Sequence, residues 1–282
     1  RTLVGRGTMC ELMGLCFAAP VSADFSIREF AKRDEQNADG WGLAWYPDRS
    51  AAIVKEPISW RASKHTQFLA DYHAIRSALY IAHVRHKTVG GDATHADTHP
   101  FTRELDGRDY CFAHNGTLLD LSVDGRAARY HPLGHTDSER AFCQLLDALS
   151  RRNGNLRDED GWQWLAEYLQ MLNRHGRLNC LLSDGEALFC YRDTAGYKNL
   201  TWRAVDVYGP EVRRFEDSEV QIDLDGQSSN HGVLVASNPL SSAGWENFRP
   251  GELIVLRGGE LQFSSHGNAG VGKAPQPRGG LT

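Results

Sequence analysis

Cys10 directly follows a methionine in the stretch GRGTMCELMGLC, residues 5–16 of a 282-residue chain. A thiol becomes a strong nucleophile when it loses its proton, although a lone cysteine more often fills the core. Three further candidates stand where an apolar run meets a polar turn or a helix start: Arg85 after LYIAHV, Asn115-Gly116 after YCFAH, and Asp137. Taken singly, they are typical of a solvated charge, a tight turn and a helix cap. Because strand ends present polar side chains to pockets, the three junctions together with the Met-Cys pair form a more specific pattern.

The elements that must position these residues are short strands in two groups, with two long helices between the groups. The first group is LMGLCFA (12–18), a hairpin of GWGLAWY (40–46) and AAIVK (51–55), LYIAHVR (79–85) and YCFAHNG (110–116). The second group is LNCLLSDG, ALFCYRD, GVLVASN and GELIVLRGG. Alternating or continuous apolar runs of this length predict strands.

The clearest helix is predicted over 136–152, where Thr136 or Asp137 can cap the first turn and Glu139 completes a capping-box spacing. Its apolar residues form one stripe: Phe142, Leu145, Leu146 and Leu149. A second helix is predicted over 161–176, ending at a glycine, and shorter ones over 24–33 and 65–77. Because strands and helices do not alternate, the pattern favours an α+β fold of two packed sheets with helices outside.

Composition excludes several classes of function. The formal net charge is -5 and no block of lysine and arginine stands out, so nucleic acid is not an expected partner. The six cysteines form no C-x-x-C pair, which indicates reduced thiols in a cytoplasmic protein. No apolar run reaches the roughly 18 residues that a membrane span needs, so no membrane partner is expected.

The motifs, taken in order, resemble those of the class II glutamine amidotransferases, a branch of the N-terminal-nucleophile hydrolases. Seven segments carry the resemblance: MCELMG, DGWGLAWY, HVRHKTVG, THPF, FAHNGTL, HTDSERAF, and VASNPL with PGELIVL. The pattern is most similar to stand-alone members without a synthase domain. The resemblance implies a four-layer α/β/β/α fold and no cofactor or metal.

The resemblance also implies roles for the candidate residues. Cys10, as first residue of the processed chain, would attack a side-chain amide as a thiolate, with its own α-amine as base, and form a γ-glutamyl thioester. Asn115 and the N–H of Gly116 would stabilise the oxyanion. Arg85 and Thr88 would hold the substrate carboxylate and Asp137 its ammonium group. The implied reaction is hydrolysis of glutamine or another γ-glutamyl amide, releasing ammonia or an amine.

The same resemblance divides the chain into a leader or cloning remnant at residues 1–9, an amidotransferase domain at 10–262 and a disordered Gly/Pro-rich tail at 263–282. The expected partner is a small γ-glutamyl substrate, and a separate acceptor-domain protein or a second copy of the chain stays open. Two positions depart from the pattern: Asp97 stands before THPF where asparagine is expected, and His86 follows Arg85 where some members carry an aromatic.

Two other functions remain as alternatives. An amidotransferase-like fold that only binds or regulates is one, because residues before Cys10 would block its amine. A metal-dependent hydrolase is the other, because imidazoles and carboxylates suit zinc or iron. Its candidate cluster lies between residues 83 and 99 but lacks H-E-x-x-H or facial-triad spacing: His83, His86, Asp92, His95, Asp97 and His99.

Overall fold

The computed structural model describes residues 10–22, 38–71, 75–86, 94–121, 128–152, 156–208, 229–240 and 244–267. The residues 1–9, the helix predicted over 24–33 and Thr88 lie outside these ranges. The elements in chain order are β1 (Glu11–Val21), β2 (Ala38–Trp45), β3 (Ala52–Glu56), α1 (Lys64–Asp71), β4 (Ser77–His86), β5 (Phe101–Leu105), β6 (Arg108–Leu118), α2 (Asp137–Ser150), α3 (Glu159–Asn173), β7 (Gly176–Ser183), β8 (Ala187–Tyr191), β9 (Thr201–Tyr208), β10 (Ser229–Ala236), β11 (Glu246–Asn247), β12 (Leu253–Arg257) and β13 (Glu260–Ser264).

The strands form two antiparallel sheets. The first has seven strands in the order β11-β9-β10-β1-β4-β2-β3, and the second has six in the order β13-β12-β8-β7-β6-β5. β1 lies in the middle of the first sheet, with β10 on one side and β4 on the other. β6 pairs with β7 in the second sheet, so the Cys10 end of the chain and the Asn115-Gly116 pair belong to different sheets.

The two sheets pack face to face, and β1 shows how its sequence permits this. Successive side chains of a strand point to opposite faces. Leu12 and Cys16 accordingly lie in the apolar cluster between the sheets, whereas Met13, Leu15 and Phe17 lie in the cluster on the outer face of the first sheet. Because both faces are covered, β1 is an almost continuous apolar run.

Helices cover the outer faces. α2 and α3 pack on the second sheet, where the predicted stripe of Phe142, Leu145, Leu146 and Leu149 is buried. Phe142 stacks on Phe112 of β6, with ring centroids 5.3 Å apart. On the first sheet, Leu69 of α1 contributes to the outer cluster. This arrangement of two sheets between helices confirms the predicted α+β architecture.

Some predicted element ends differ from the structure. α3 ends at Asn173 with Arg174 as its cap, whereas Gly176 begins β7 at φ 153° and is not a helix C-cap. The helix predicted over 65–77 is shorter, because residue 77 already belongs to β4. β13 crosses the predicted domain boundary at residue 262 and ends at Ser264. Among the described residues, no helix is both long and apolar enough to cross a bilayer.

Candidate active site

Cys10 lies immediately before β1 and is half-buried. Its carbonyl oxygen accepts a hydrogen bond from Asn115 Nδ2 at 2.9 Å. The Lys198 ammonium lies 3.3 Å from the same oxygen. The structure thus brings the predicted nucleophile and the predicted oxyanion donor into direct contact across the two sheets, although 105 positions separate them in the chain.

The Asn115 side chain is buried and held on both sides. Its Oδ1 lies 3.0 Å from Nε2 of His83, which belongs to β4. Burial lowers the pKa of His83 to about 3, so the ring is neutral at physiological pH. An amide oxygen only accepts hydrogen bonds, and Nε2 of His83 must therefore carry the proton. This bond turns the Asn115 amide nitrogen toward Cys10.

Ser237 completes the contacts of Asn115. Its Oγ accepts from Asn115 Nδ2 at 3.2 Å and from the backbone N–H of Leu12 at 2.9 Å. The backbone N–H of Ser237 donates in turn to the carbonyl of Leu12 at 3.0 Å. Ser237 follows β10, the neighbour of β1, and so it ties the start of β1 to the oxyanion candidate. Ser237 belongs to the segment VASNPL, and no local feature of that segment predicts its contact with Asn115.

Gly116 follows Asn115 on β6 with φ 149°, a value that residues with a side chain rarely adopt. A Cβ at this position would collide with the carbonyl oxygen of Arg177 on β7. The neighbouring His114 is also fixed, because its Nε2 lies 3.0 Å from that carbonyl and its Nδ1 lies 2.8 Å from Ser138 Oγ. The positive φ and the close approach of β6 to β7 therefore require glycine at position 116.

Arg85 lies two residues beyond His83 on β4, on the same face of the strand. Its Nε is 3.9 Å from Asp39 Oδ1, a long ion pair with both side chains about one-fifth exposed. Within the described ranges, Arg85 Nη1 and both carboxylate oxygens of Asp39 have no hydrogen-bond partner. The guanidinium fork is consequently not used up by protein contacts and is suited to a carboxylate ligand.

Asp137 is the first residue of α2 and lies beside the end of β6. Its Oδ2 accepts a hydrogen bond from the backbone N–H of Leu118 at 2.6 Å. The helix cap is Thr136, whose side chain accepts from the N–H of Glu139, as the sequence predicts. Asp137 therefore stands next to the strand end that carries Gly116. Thr88, the third residue expected to bind substrate, is not among the described residues.

Asp97 ties two loops of the site together, which gives this unexplained position a role. Its Oδ1 accepts from the backbone N–H of His135 at 2.6 Å, and its Oδ2 accepts from Thr94 Oγ1 at 2.7 Å. Burial acts to raise the pKa of Asp97, but these hydrogen bonds outweigh it and the pKa is lowered. The carboxylate therefore fixes the loop that leads into Asp137.

The histidine cluster weighed as a metal site has a different geometry. The rings of His83 and His99 are 4.3 Å apart between centroids and both are buried. Burial lowers the pKa of each ring, and Asp97 is engaged by His135 and Thr94. In the described part of the chain, no three histidine, cysteine or acidic side chains are placed to hold a metal ion.

Two facing antiparallel sheets with helices outside form the N-terminal-nucleophile hydrolase fold. Within that fold, the family model of the class II glutamine amidotransferases matches residues 9–276. The chain therefore belongs to the class II glutamine amidotransferases, as the motifs predict.

Individual relatives agree with this assignment. The chain is 38% identical over 263 residues to an uncharacterized protein of Methanocaldococcus jannaschii, MJ1515, covering 91% of this chain and 72% of the relative. It is 33% identical over 263 residues to YafJ of Escherichia coli, a candidate glutamine amidotransferase by its name, covering 89% and 99%. The crystal structure of a predicted glutamine amidotransferase from Pseudomonas aeruginosa matches with a TM-score of 0.65 at 27% identity, covering 89% of this chain and 99% of that one.

Proposed function

We propose that this protein hydrolyses a γ-glutamyl amide, glutamine or a γ-glutamyl conjugate, with Cys10 as nucleophile. The observation that carries the proposal is the 2.9 Å hydrogen bond from Asn115 Nδ2 to the backbone carbonyl oxygen of Cys10, with the amide turned by His83. An amide donor fixed beside a cysteine before substrate arrives is what stabilisation of a tetrahedral oxyanion requires.

In the proposed reaction, Cys10 is the first residue of the active chain. Its α-amine, with a pKa of about 8, takes the proton of the thiol, and the thiolate attacks the substrate carbonyl. Asn115 Nδ2 and the N–H of Gly116 donate to the oxyanion. The carbon–nitrogen bond then breaks, the amine leaves with the proton held by the α-amine, and a thioester remains. Water cleaves the thioester and regenerates the thiol.

Substrate selection in this proposal depends on the amino-acid end of the γ-glutamyl group. Arg85 pairs with the α-carboxylate as a planar fork, which its remaining guanidinium donors permit. Asp137 receives the α-ammonium through the carboxylate oxygen that Leu118 does not engage. Thr88 adds a hydroxyl near the carboxylate. A ligand held at both charges leaves its side-chain amide directed toward Cys10.

The test compares the protein beginning at Cys10 with its Cys10→Ala variant on glutamine and a panel of γ-glutamyl amides. We expect release of glutamate from at least one substrate by the wild type and a loss of at least about 10³-fold in Cys10→Ala, because the nucleophile is removed. The matched control is Cys143→Ala, which removes a buried thiol of α2 that the proposed reaction does not use. Thermal unfolding shows that each variant is folded.

The alternative of a binding or regulatory module makes the opposite prediction in the same experiment. A folded protein that begins at Cys10, binds glutamate by calorimetry and releases nothing from any member of the panel would overturn the proposed hydrolysis. Binding without turnover would then assign the charged pair Arg85 and Asp137 to ligand recognition alone.

A further inference from the structure

The loop between β8 and β9 brings Lys198 to Cys10, and nothing in the motif pattern calls for a lysine there. The loop is rigid because the Asp193 carboxylate at its start is fully buried and fully used. One oxygen accepts from the backbone N–H groups of Ala195 and Tyr197 at 2.9 and 3.0 Å. The other accepts from Leu178 N–H at 2.9 Å and from the Asn173 amide at 2.8 Å.

Tyr197 is held a second time, because its carbonyl accepts from the Asn179 side chain at 2.6 Å. Asn179 is the residue opposite Asn115 in the pairing of β7 with β6. The loop is therefore anchored by hydrogen bonds to the strand pair of β6 and β7, which carries Asn115. The position of the next residue, Lys198, is set relative to Asn115 by this frame.

Lys198 itself has φ 54°, a left-handed conformation that is uncommon for a residue with a long side chain. Such conformations persist where surrounding contacts impose them and are frequent at functional sites. Its ammonium lies 3.3 Å from the Cys10 carbonyl oxygen and 5.5 Å from the centre of the Tyr197 ring. The guanidinium of Arg177 lies 4.6 Å from the same ring. The strained backbone is thus used to direct a cation at Cys10.

The titratable groups around Cys10 and Asn115 lie on the β8–β9 loop, β1 and β4. Burial lowers the pKa of Lys198, while Cys10 and Glu11 act to raise it, so the lysine is coupled to the nucleophile. Burial also raises the pKa of Tyr197, and Cys10 raises it further, so this phenol is neutral. His83 of β4 is neutral as well. Glu11 of β1 accepts from the Asn238 amide at 2.6 Å. Lys198 carries a positive charge that contacts the Cys10 carbonyl oxygen directly, and Arg177 of β7 adds a second positive charge on the Tyr197 ring.

We infer that Lys198 is a positioning residue for the nucleophile, whose ammonium holds the Cys10 carbonyl and favours the thiolate over the thiol at Cys10. A neighbouring cation is a common way in which proteins activate a cysteine. The inference rests on the proposed function for its biological meaning. Its physical content, the effect of Lys198 on the Cys10 thiol, is measurable without any substrate.

The first experiment measures the rate of Cys10 alkylation by iodoacetamide against pH in the full 282-residue chain. The other five cysteines are buried and Cys10→Ala provides the blank. We expect Lys198→Met to raise the midpoint by about one pH unit and to slow alkylation at pH 7 by about tenfold. Lys198→Arg restores most of the rate. Lys64→Met, at an exposed lysine of α1, leaves the curve unchanged.

An unchanged alkylation curve in folded Lys198→Met would overturn the inference. Lys198→Gln serves as a second neutral variant in case the methionine lowers the thermal midpoint. If neither neutral variant folds while Lys198→Arg does, the alkylation midpoint of the arginine variant decides: the wild-type midpoint supports the requirement for a cation, and a midpoint about one pH unit higher refutes it.

The second experiment separates this inference from the proposed function by steady-state kinetics on the protein that begins at Cys10. We expect Lys198→Met to lower kcat by about tenfold and to leave KM within about twofold, because the lysine acts on the nucleophile and not on the substrate charges. If the wild type hydrolyses nothing but its alkylation depends on Lys198, the hydrolysis proposal fails and the inference stands. If hydrolysis is equally fast in Lys198→Met, the inference fails and the hydrolysis proposal stands.

Discussion

Single hydrogen bonds decide what the candidate site can do. An asparagine side chain can present either its oxygen or its nitrogen to a neighbour, and the two choices have opposite chemical consequences. At Asn115 the choice is made by His83, which supplies a donor 3.0 Å from Oδ1 and leaves the amide nitrogen for Cys10. In the proposed hydrolysis, the buried His83 ring would therefore act through Asn115, without needing to contact substrate.

Replacing His83 with leucine tests this orienting role. Leucine removes the donor and leaves Asn115 Oδ1 buried without one, so the amide is free to turn over. We expect kcat for γ-glutamyl amide hydrolysis to fall by about 10- to 10³-fold, up to the loss seen when one oxyanion donor is removed. His83→Gln, which keeps an N–H donor, retains more activity. Equal kcat values for the leucine and glutamine variants, measured with folded protein, would contradict the orienting role.

At the scale of elements, strands carry His83, Arg85 and Asn115, whereas the loop that leads into Asp137 is held by carboxylates. The spacing of Thr136 and Glu139 predicts a capping box, and Thr136 does cap α2. The Glu139 side chain, however, does not return to the cap residue. It accepts from the N–H groups of Leu133 and Gly134 at 3.0 and 2.7 Å and pairs with Arg103 at 2.6 Å. Together with Asp97, it fixes the loop that delivers Asp137.

Asp97 offers the sharper test of this loop. Asp97→Ala removes the acceptors for His135 N–H and Thr94 Oγ1, which we expect to cost about 1–3 kcal/mol and to lower Tm by several degrees. Because the loop leads into Asp137, KM for the γ-glutamyl substrate should rise by more than kcat falls. Asp97→Asn keeps an acceptor for His135 and should remain close to wild type in both constants. A wild-type KM in Asp97→Ala would separate this loop from substrate binding.

For the whole molecule, the parts predictable from the sequence are those set by local periodicity. The apolar run of β1 and the apolar stripe of α2 are both visible in the letters, the first as a continuous segment of strand length and the second as a repeat of 3.6 residues. The residues that sequence analysis missed contact Cys10 and Asn115 from far along the chain. Ser237 reaches Asn115 across 122 positions and Lys198 reaches Cys10 across 188. No local pattern encodes such contacts, because they form only when the two sheets pack against each other.

Folding also buries histidines, and this should make the stability of the whole molecule sensitive to acid. Burial holds the pKa of His99 well below 6.5, and that of His83 at about 3, so both rings are neutral when folded. In the unfolded chain each ring takes up a proton near pH 6.5. Their contribution to stability is therefore complete above pH 6.5 and is lost progressively as the pH falls toward the folded pKa values.

His99 is the residue at which this acid sensitivity can be isolated. Neither of its ring nitrogens has a hydrogen-bond partner within the described ranges, and its ring packs against Phe101 at 4.6 Å, so phenylalanine leaves no polar group unsatisfied. We expect the wild type to lose about 1.6 kcal/mol more than His99→Phe between pH 6.5 and pH 5, because the unfolded ring goes from half to almost fully protonated while the folded ring stays neutral. Urea unfolding at both pH values measures the difference, with the exposed His131→Gln as control. Parallel losses in wild type and His99→Phe would show that His99 is not the group that titrates, and the acid sensitivity would then have to be sought at His83.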